Sequence, residues 1–171
     1  DWMLLSVTSA PPARGAHAMA SQGNGDLMLL FGGINNGNAF DDTWTFDQTT
    51  NVWTKVDTKS TAPPARYGHA MAALGDDGRV LLFGGQDDTQ FFGDTWTFDP
   101  TTCQWTENTN STVSPSARSG HAMATMGVDG NVLLFGGNAG NGPIRFGSPW
   151  KYDRQTSQWT QVTTTPTLSS P

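Results

Sequence analysis

The chain has 171 residues, a formal net charge of −6 at pH 7 and a sequence pI of about 4.7. Its 9 lysines and arginines form no basic stripe, which excludes the electrostatic footprint of a protein that binds a nucleic-acid backbone. No apolar run approaches the roughly 20 residues that span a bilayer, and the start DWMLLSVTS has no basic leader region, so we expect a soluble chain without membrane insertion.

A segment that begins with arginine occurs three times along the chain. Arg14, Arg66 and Arg118 stand 52 residues apart (66 − 14 and 118 − 66), and each opens a stretch of the form R-x-x-H-A-M-A that ends in F-G-G. Such periodicity indicates an array in which each unit needs its neighbours for stability. The same period is kept by three histidines and three glycine pairs: His17, His69, His121, Gly32, Gly33, Gly84, Gly85, Gly136 and Gly137.

The period divides the chain into four segments. Trp2 precedes Arg14 by 12 residues, close to the 13 that separate Trp53 from Arg66, so residues 1–7 are predicted to be the last strand of a preceding unit. Both ends resemble cuts through a longer array. The predicted segments are an outer strand and linker at 1–13, a first repeat at 14–65, a second at 66–117, and a third repeat with the start of the next linker at 118–171.

Each repeat carries four strand signals in the same order. A stretch of alternating small and apolar residues meets a turn cluster (GNGD, GDDG or GVDG), which predicts a strand, a tight turn and a second strand. The second strand is a continuous Leu, Val and Phe run, as expected where both faces are covered. Two further strands follow, with aromatic residues in register, and together they predict a four-stranded antiparallel meander. The aromatics suited to fill the space between stacked sheets are Trp44, Trp96, Trp150, Trp53, Trp105 and Trp159.

The apolar run before Gly-Gly, followed by W-T-F-D and a later Trp, resembles the kelch repeat over essentially the whole chain. The resemblance implies an all-β segment of a kelch-type β-propeller, with three four-stranded antiparallel blades, strand one lining the channel and strand four at the rim. Closed propellers typically have four to eight blades. We therefore expect part of a closed ring of six or seven blades, completed by further kelch repeats in the same polypeptide or, as the alternative, by a second copy of the chain.

The third repeat departs from the pattern in the loop before its third strand. Ser148 and Pro149 replace the Asp and Thr of the sequence D-T-W, and the preceding loop is two residues longer. Because proline cannot donate a ladder hydrogen bond, we expect the strand to be altered there.

The repeated polar residues are interpreted as structural. The three histidines could bind a metal or move protons, but identical placement in every repeat, without metal-ligand spacing, favours a scaffold role. The arginines either pair with Asp42 and Asp94 or face the channel mouth. If they pair, Ser148 leaves one arginine without a carboxylate, and Arg118 or Arg145 becomes the predicted ligand contact. The loop anchors are predicted to be Phe40, Phe92 and Phe146.

No catalytic residue, metal site or cofactor is predicted. The acidic pairs at 76–77 and 87–88 lack the regular spacing of a calcium loop and are interpreted as turn residues. The single Cys103 is interpreted as an inert thiol. Linkers rich in Ser, Thr and Asn, together with the glycosylation pattern at Asn110, favour an extracellular or secreted protein, with a cytoplasmic location as the alternative.

Variation between repeats concentrates in the loop after each glycine pair and points to function there. We expect a non-catalytic scaffold whose variable loops bind a protein or glycan. The alternatives are part of a kelch-propeller enzyme, of oxidase or sugar-modifying type with catalytic residues outside this chain, and an architectural module of an extracellular or filamentous assembly. The candidate binding residues are Asn35, Asn36, Asn38, Tyr67, Gln86, Asp87, Asp88, Gln90, Asn138, Asn141 and Arg145.

Overall fold

A computed structural model of the chain describes residues 10–23, 25–58, 61–140 and 145–163. The predicted outer strand at 1–7 and the loop residue Asn141 lie outside these ranges. Every regular element within them is a β-strand, and none of the described residues forms a helix that could cross a membrane.

The described strands form three four-stranded sheets, one for each repeat, and a small hairpin. The first sheet consists of β1 (Ala18–Ser21), β2 (Leu27–Phe31), β5 (Thr43–Asp47) and β6 (Val52–Val56), in that order. Between β2 and β5 the chain forms the separate hairpin of β3 (Ile34–Asn35) and β4 (Asn38–Ala39). The second sheet contains β7 (Ala70–Ala73), β8 (Val80–Phe83), β9 (Thr95–Asp99) and β10 (Gln104–Glu107). The third contains β11 (Ser119–Met126), β12 (Asn131–Asn138), β13 (Trp150–Asp153) and β14 (Gln158–Gln161).

All three sheets are antiparallel meanders with the same register, which confirms the strand order predicted from the sequence. In each sheet, an aromatic ring of the third strand stands opposite a tryptophan of the fourth strand, with ring centroids 5.0 to 5.2 Å apart. The period of two that places these rings on one face of each strand is therefore the feature that sets the register. The pairs are Phe46 with Trp53, Phe98 with Trp105, and Tyr152 with Trp159.

Proline alters the third sheet as expected. Strand β13 begins at Trp150, one position later than β5 and β9, so Pro149 stands outside the ladder where the other repeats have a paired threonine. Its carbonyl is still used, because the backbone N–H of Val162 donates to it at 2.9 Å, as Asn108 donates to Thr95 at 2.8 Å. The proline thus shortens the strand without removing it from the sheet.

The core of the structure lies between sheets rather than within one. Strand β8 is completely buried and alternates between two clusters, with Val80 and Leu82 packed toward the first sheet and Leu81 and Phe83 toward the third. Phe135, the residue of β12 that corresponds to Phe83, is 53% exposed. The middle sheet is therefore the one with both faces covered.

Tryptophans of the fourth strands join each sheet to the one before it. The Trp105 indole N–H donates to the Thr43 hydroxyl at 3.0 Å, and the ring meets Phe31 edge-on at 5.3 Å. Trp159 repeats both contacts on the second sheet, donating to Thr95 at 2.9 Å. A buried indole with its N–H satisfied combines apolar area with a directional bond.

Replacing Trp105 with alanine should therefore lower the free energy of unfolding by about 3 to 5 kcal/mol, the range for emptying a buried aromatic site. Chemical denaturation followed by circular dichroism measures the change. The matched control is Trp53→Ala at the same position of the first sheet, where the ring is only partly buried. Equal losses for the two variants would contradict the packing between sheets described above.

Candidate functional site

The glycine pairs form the seam between neighbouring sheets. Gly33 donates its N–H to the carbonyl of Arg66 in the next repeat at 2.9 Å, and Gly85 donates to Arg118 at 2.8 Å. Gly32 has φ +62°, and a Cβ there would lie 2.6 Å from the carbonyl oxygen of Arg66. Only glycine fits so close an approach of two backbones.

Two of the three histidines that keep the repeat period are buried at this seam. The His69 ring lies edge-on to Phe31 at 5.6 Å, and His121 repeats this contact on Phe83. Burial, with a smaller contribution from the Arg66 charge, lowers the pKa of His69 from 6.5 to about 3, and burial with Arg118 lowers the pKa of His121 to about 4. Their ring nitrogens make no hydrogen bond of normal geometry with the described residues. These histidines are neutral packing groups at neutral pH.

His17, which immediately precedes β1 of the first sheet, is exposed. Within the described ranges, no three His, Cys, Asp or Glu side chains come together in an arrangement that could hold a metal ion.

The arginines that open the first and second repeats are each held by the same set of groups. In the second repeat, Arg66 stacks on Phe92 at 4.1 Å and makes a bidentate pair with Asp94 at 2.6 and 2.7 Å. The Trp96 indole N–H also donates to Asp94, at 2.7 Å. The first repeat has the same arrangement of Arg14, Phe40, Asp42 and Trp44. The arginine thus ties the linker to the third strand of its own sheet, and the phenylalanine is its stacking partner as well as a loop anchor.

First strands of adjacent sheets lie side by side, as expected for strands that line a channel. Gly68 donates its N–H to the carbonyl of Ala16, and Gly120 donates to Gly68, both at 2.8 Å. These bonds run from sheet to sheet next to the variable loops, so the loops start from a rigid base.

Five of the predicted binding residues line one cavity of about 310 Å³ on the second repeat, and they are Tyr67, Gln86, Asp87, Asp88 and Gln90. Backbone pairing between Tyr67 and Gln86 holds the two sides of this cavity together, with both N–H to O distances at 2.9 Å. We name this cavity the second-repeat loop pocket.

Asp87 shapes the loop pocket by closing its turn. Its carboxylate accepts hydrogen bonds from the Thr89 hydroxyl and from the backbone N–H groups of Thr89 and Gln90, at 2.7 to 2.8 Å. These bonds lower the pKa of Asp87. The turn therefore fixes the loop backbone and leaves the side chains of Asp88 and Gln90 exposed to solvent.

The loop pocket is also connected to the third repeat. Gln86 donates its side-chain N–H to the Tyr67 hydroxyl at 2.9 Å and accepts a bond from the Ser119 hydroxyl at 2.7 Å. Ser119 was absent from the candidates, although it follows Arg118 just as Tyr67 follows Arg66. Variation at that position among Gly15, Tyr67 and Ser119 is the sequence signal that could have found it.

The remaining candidates are separate from the loop pocket. Asn35, Asn36 and Asn38 are exposed on the β3-β4 hairpin, where the Asn38 amide donates to the carbonyl of Asn36 at 3.3 Å. Asn138 bridges to Arg145 in the third repeat, and Arg145 lines a cavity that also contains Arg118 and Ser148. The structure thus divides the candidates among three loops and brings five of them together.

Comparison with known proteins gives the same repeat over the full chain. A family model described as the KLHDC2/KLHL20/DRC7 Kelch-repeats domain matches residues 1–171. The chain is 33% identical over 151 residues to Adagio-like protein 1 of Oryza sativa subsp. japonica, a match that covers 86% of this chain and 24% of that protein. It is 29% identical over 140 residues to Acyl-CoA-binding domain-containing protein 5 of Arabidopsis thaliana, covering 81% of this chain and 21% of that protein.

A fungal protein is also similar. Tip elongation aberrant protein 3 of Schizosaccharomyces pombe is 25% identical over 186 residues, covering 88% of this chain and 16% of that protein. The chain therefore spans about a quarter or less of the length of these curated relatives.

Replacing Asp94 with asparagine should lower the free energy of unfolding by about 3 kcal/mol, because it leaves the Arg66 charge buried without a counter-charge. The Arg66 side chain is 0% exposed and that of Asp94 is 19% exposed, so we expect the low end of the range for broken buried pairs. Urea denaturation measures the loss. The control Asp88→Asn, at an exposed position, should stay within about 0.5 kcal/mol of the parent, and a comparable loss there would contradict the assignment.

Stability should fall as the pH drops below 6.5. In the unfolded chain, His69 binds a proton near its ordinary pKa of 6.5, whereas in the folded protein its pKa is about 3. The contribution of neutral His69 to the free energy of unfolding is therefore complete above pH 6.5 and is lost as the pH falls toward 3. At pH 5 the loss attributable to His69 should be about 2 kcal/mol.

Unfolding free energies at about pH 7.5 and pH 5 test this linkage. His69→Asn should make the stability less dependent on pH over that interval, whereas His17→Asn, at the exposed position, should leave most of the dependence in place. An unchanged dependence in the His69 variant would show that this histidine titrates normally in the folded state.

Proposed function

The chain belongs to the kelch-repeat family, and on that premise we propose that it is a non-catalytic interaction module whose second-repeat loop pocket binds a protein partner. The observation that carries the proposal is that residues that keep the repeat period and residues that break it lie in different parts of the structure. Those that keep the repeat period form the seams and arginine clusters, whereas five residues that break it line one solvent-facing pocket. Binding residues on a rigidly held loop suit recognition.

The chemistry of the pocket favours polar partners. Asp88 and Gln90 are exposed, Tyr67 provides a half-buried aromatic face, and Gln86 fixes the phenol through a hydrogen bond. Tyrosine beside amide and carboxylate groups is typical of protein-recognition surfaces, where it adds contact area at a small entropic cost. The same groups can hydrogen-bond sugar hydroxyls, so a glycan is the other partner class that we propose.

A random peptide library displayed on phage, selected against the immobilised chain, tests this function without knowledge of the natural partner. We expect selected peptides to bind the double variant Asp88→Ala/Gln90→Ala at least about tenfold more weakly than the parent, a loss of about 1.4 kcal/mol. Stability should stay within about 0.5 kcal/mol, because both side chains are exposed. Calorimetry and denaturation measure the two quantities.

The matched control is Thr102→Ala/Gln104→Ala, which changes two exposed residues near the fourth strand of the same repeat. It should bind the selected peptides like the parent. If this control loses binding while the loop variant keeps it, the interaction surface lies near the fourth strand instead. A glycan array run on the same proteins identifies sugar binding, which the loop variant should also lose.

A further inference from the structure

The guanidinium group of the third repeat is fixed in the same way as those of the first two. In Arg118, Nε donates to the carbonyl of Ser116 and Nη1 to that of Gly136, both at 3.0 Å. The group lies 4.0 Å from the centroid of the Phe146 ring. Arg66 makes the corresponding bonds to Pro64 and Gly84. The direction of the Arg118 side chain is therefore determined by the linker that precedes it and by its own repeat.

What differs is the acceptor for the remaining donors. In the second repeat, Asp94 accepts hydrogen bonds from Nη1 and Nη2 of Arg66 and from the Trp96 indole. In the third repeat, Ser148 stands at the aspartate position. Within the described residues, neither Nη2 of Arg118 nor the Trp150 indole N–H has a hydrogen-bond acceptor. The third repeat thus keeps the two Nη groups and the indole N–H that bind Asp94 in the second repeat, but it has no carboxylate at that position.

The Arg118 guanidinium is buried in a cavity whose described lining contains no carboxylate. Arg118 is 2% exposed, and its burial lowers its pKa. With Ser148, Trp150 and Arg145, it lines a cavity of about 380 Å³ in which none of the described lining residues is acidic. A buried cation without a counter-charge is costly, so an anion that enters this cavity meets fixed donors and an uncompensated charge.

The position of the aspartate remains accessible to solvent even in a sheet that is covered on both faces. The second sheet is covered on both faces, yet the side chain of Asp94 keeps 19% of its surface exposed. A carboxylate at the corresponding place in the third repeat can therefore come from solvent. We name the cavity around Arg118 and Trp150 the third-repeat cavity.

We propose that the third-repeat cavity binds the carboxylate of an aspartate or glutamate side chain of a partner protein, which occupies the place that Asp42 and Asp94 take in the other repeats. The protein source of this carboxylate rests on the proposed function. The site itself does not, because none of the residues that line the second-repeat loop pocket lines the third-repeat cavity. Arg118 forms the bidentate contact, and the Trp150 indole N–H donates the third bond.

Nuclear magnetic resonance of the indole N–H groups tests the site directly. The probe is aspartate blocked at both termini, as acetyl-Asp-N-methylamide, with acetyl-Asn-N-methylamide as its neutral counterpart. We expect the blocked aspartate to shift the Trp150 resonance saturably, with millimolar affinity, and the asparagine compound to leave it in place. No shift with the aspartate, or equal shifts with both compounds, would overturn the proposal. Trp150→Phe assigns the resonance.

Two variants separate this site from a non-specific charge effect. Ser148→Asp restores the aspartate of the other repeats and should abolish the response to blocked aspartate, whereas Ser148→Asn, of similar size without the charge, should keep most of it. A normal response in Ser148→Asp would overturn the assignment. Acetyl-alanine, which has a free terminal carboxylate, forms a third arm, and a response to it without one to blocked aspartate would overturn the side-chain source.

The loop variant Asp88→Ala/Gln90→Ala distinguishes this inference from the function proposed above. It should bind blocked aspartate like the parent, because the third-repeat cavity is intact. Loss of peptide binding with retained aspartate binding is therefore the expected combination. Loss of aspartate binding in this variant would show that the two sites are one.

Discussion

The approach of one backbone to the next at the glycine pairs is the constraint on which the other features depend. Gly32 and Gly84 allow the carbonyl groups of Arg66 and Arg118 to come within hydrogen-bonding distance of the following glycine. That approach places the opening arginine of one repeat beside the loop of the previous repeat. It also brings His69 and His121 onto the phenylalanines of the second strands. A Cβ at either glycine would separate the sheets and leave the buried tryptophans without their partners.

The same constraint explains which residues are left for recognition. Most side chains that keep the repeat period lie in the seam, in the arginine clusters or in the core between sheets, where they contact other residues of the chain. The two binding sites that we propose therefore lie at positions where the repeats differ, and two kinds of difference occur. The second-repeat loop pocket arises from loop residues that vary freely, whereas the third-repeat cavity arises from a scaffold position that has lost its usual residue.

The strand order and the kelch-type blades could be inferred from the sequence because each depends on spacing within one repeat. For the same reason, the partners of Arg14 and Arg66 could be given as one of two alternatives. Contacts between side chains of different repeats could not. The bond from Ser119 to Gln86 requires residues of the second and third repeats to meet across a seam. The β3-β4 hairpin was likewise hidden, since its two-residue strands are too short for a periodic signal. The loss of the aspartate at Ser148 was visible in the sequence, but the burial of Arg118 was not.

The alternation of strand β8 between two cores has a consequence for cooperativity. Val80 and Leu82 belong to one interface while Leu81 and Phe83 belong to the other, so a change of volume at any of them acts on one neighbour directly and on the other through the strand backbone. In a linear array of this kind, the energetic unit is the interface between repeats. A perturbation in the second strand of an internal repeat is therefore transmitted to both neighbouring repeats, so that strand couples the stability of three repeats.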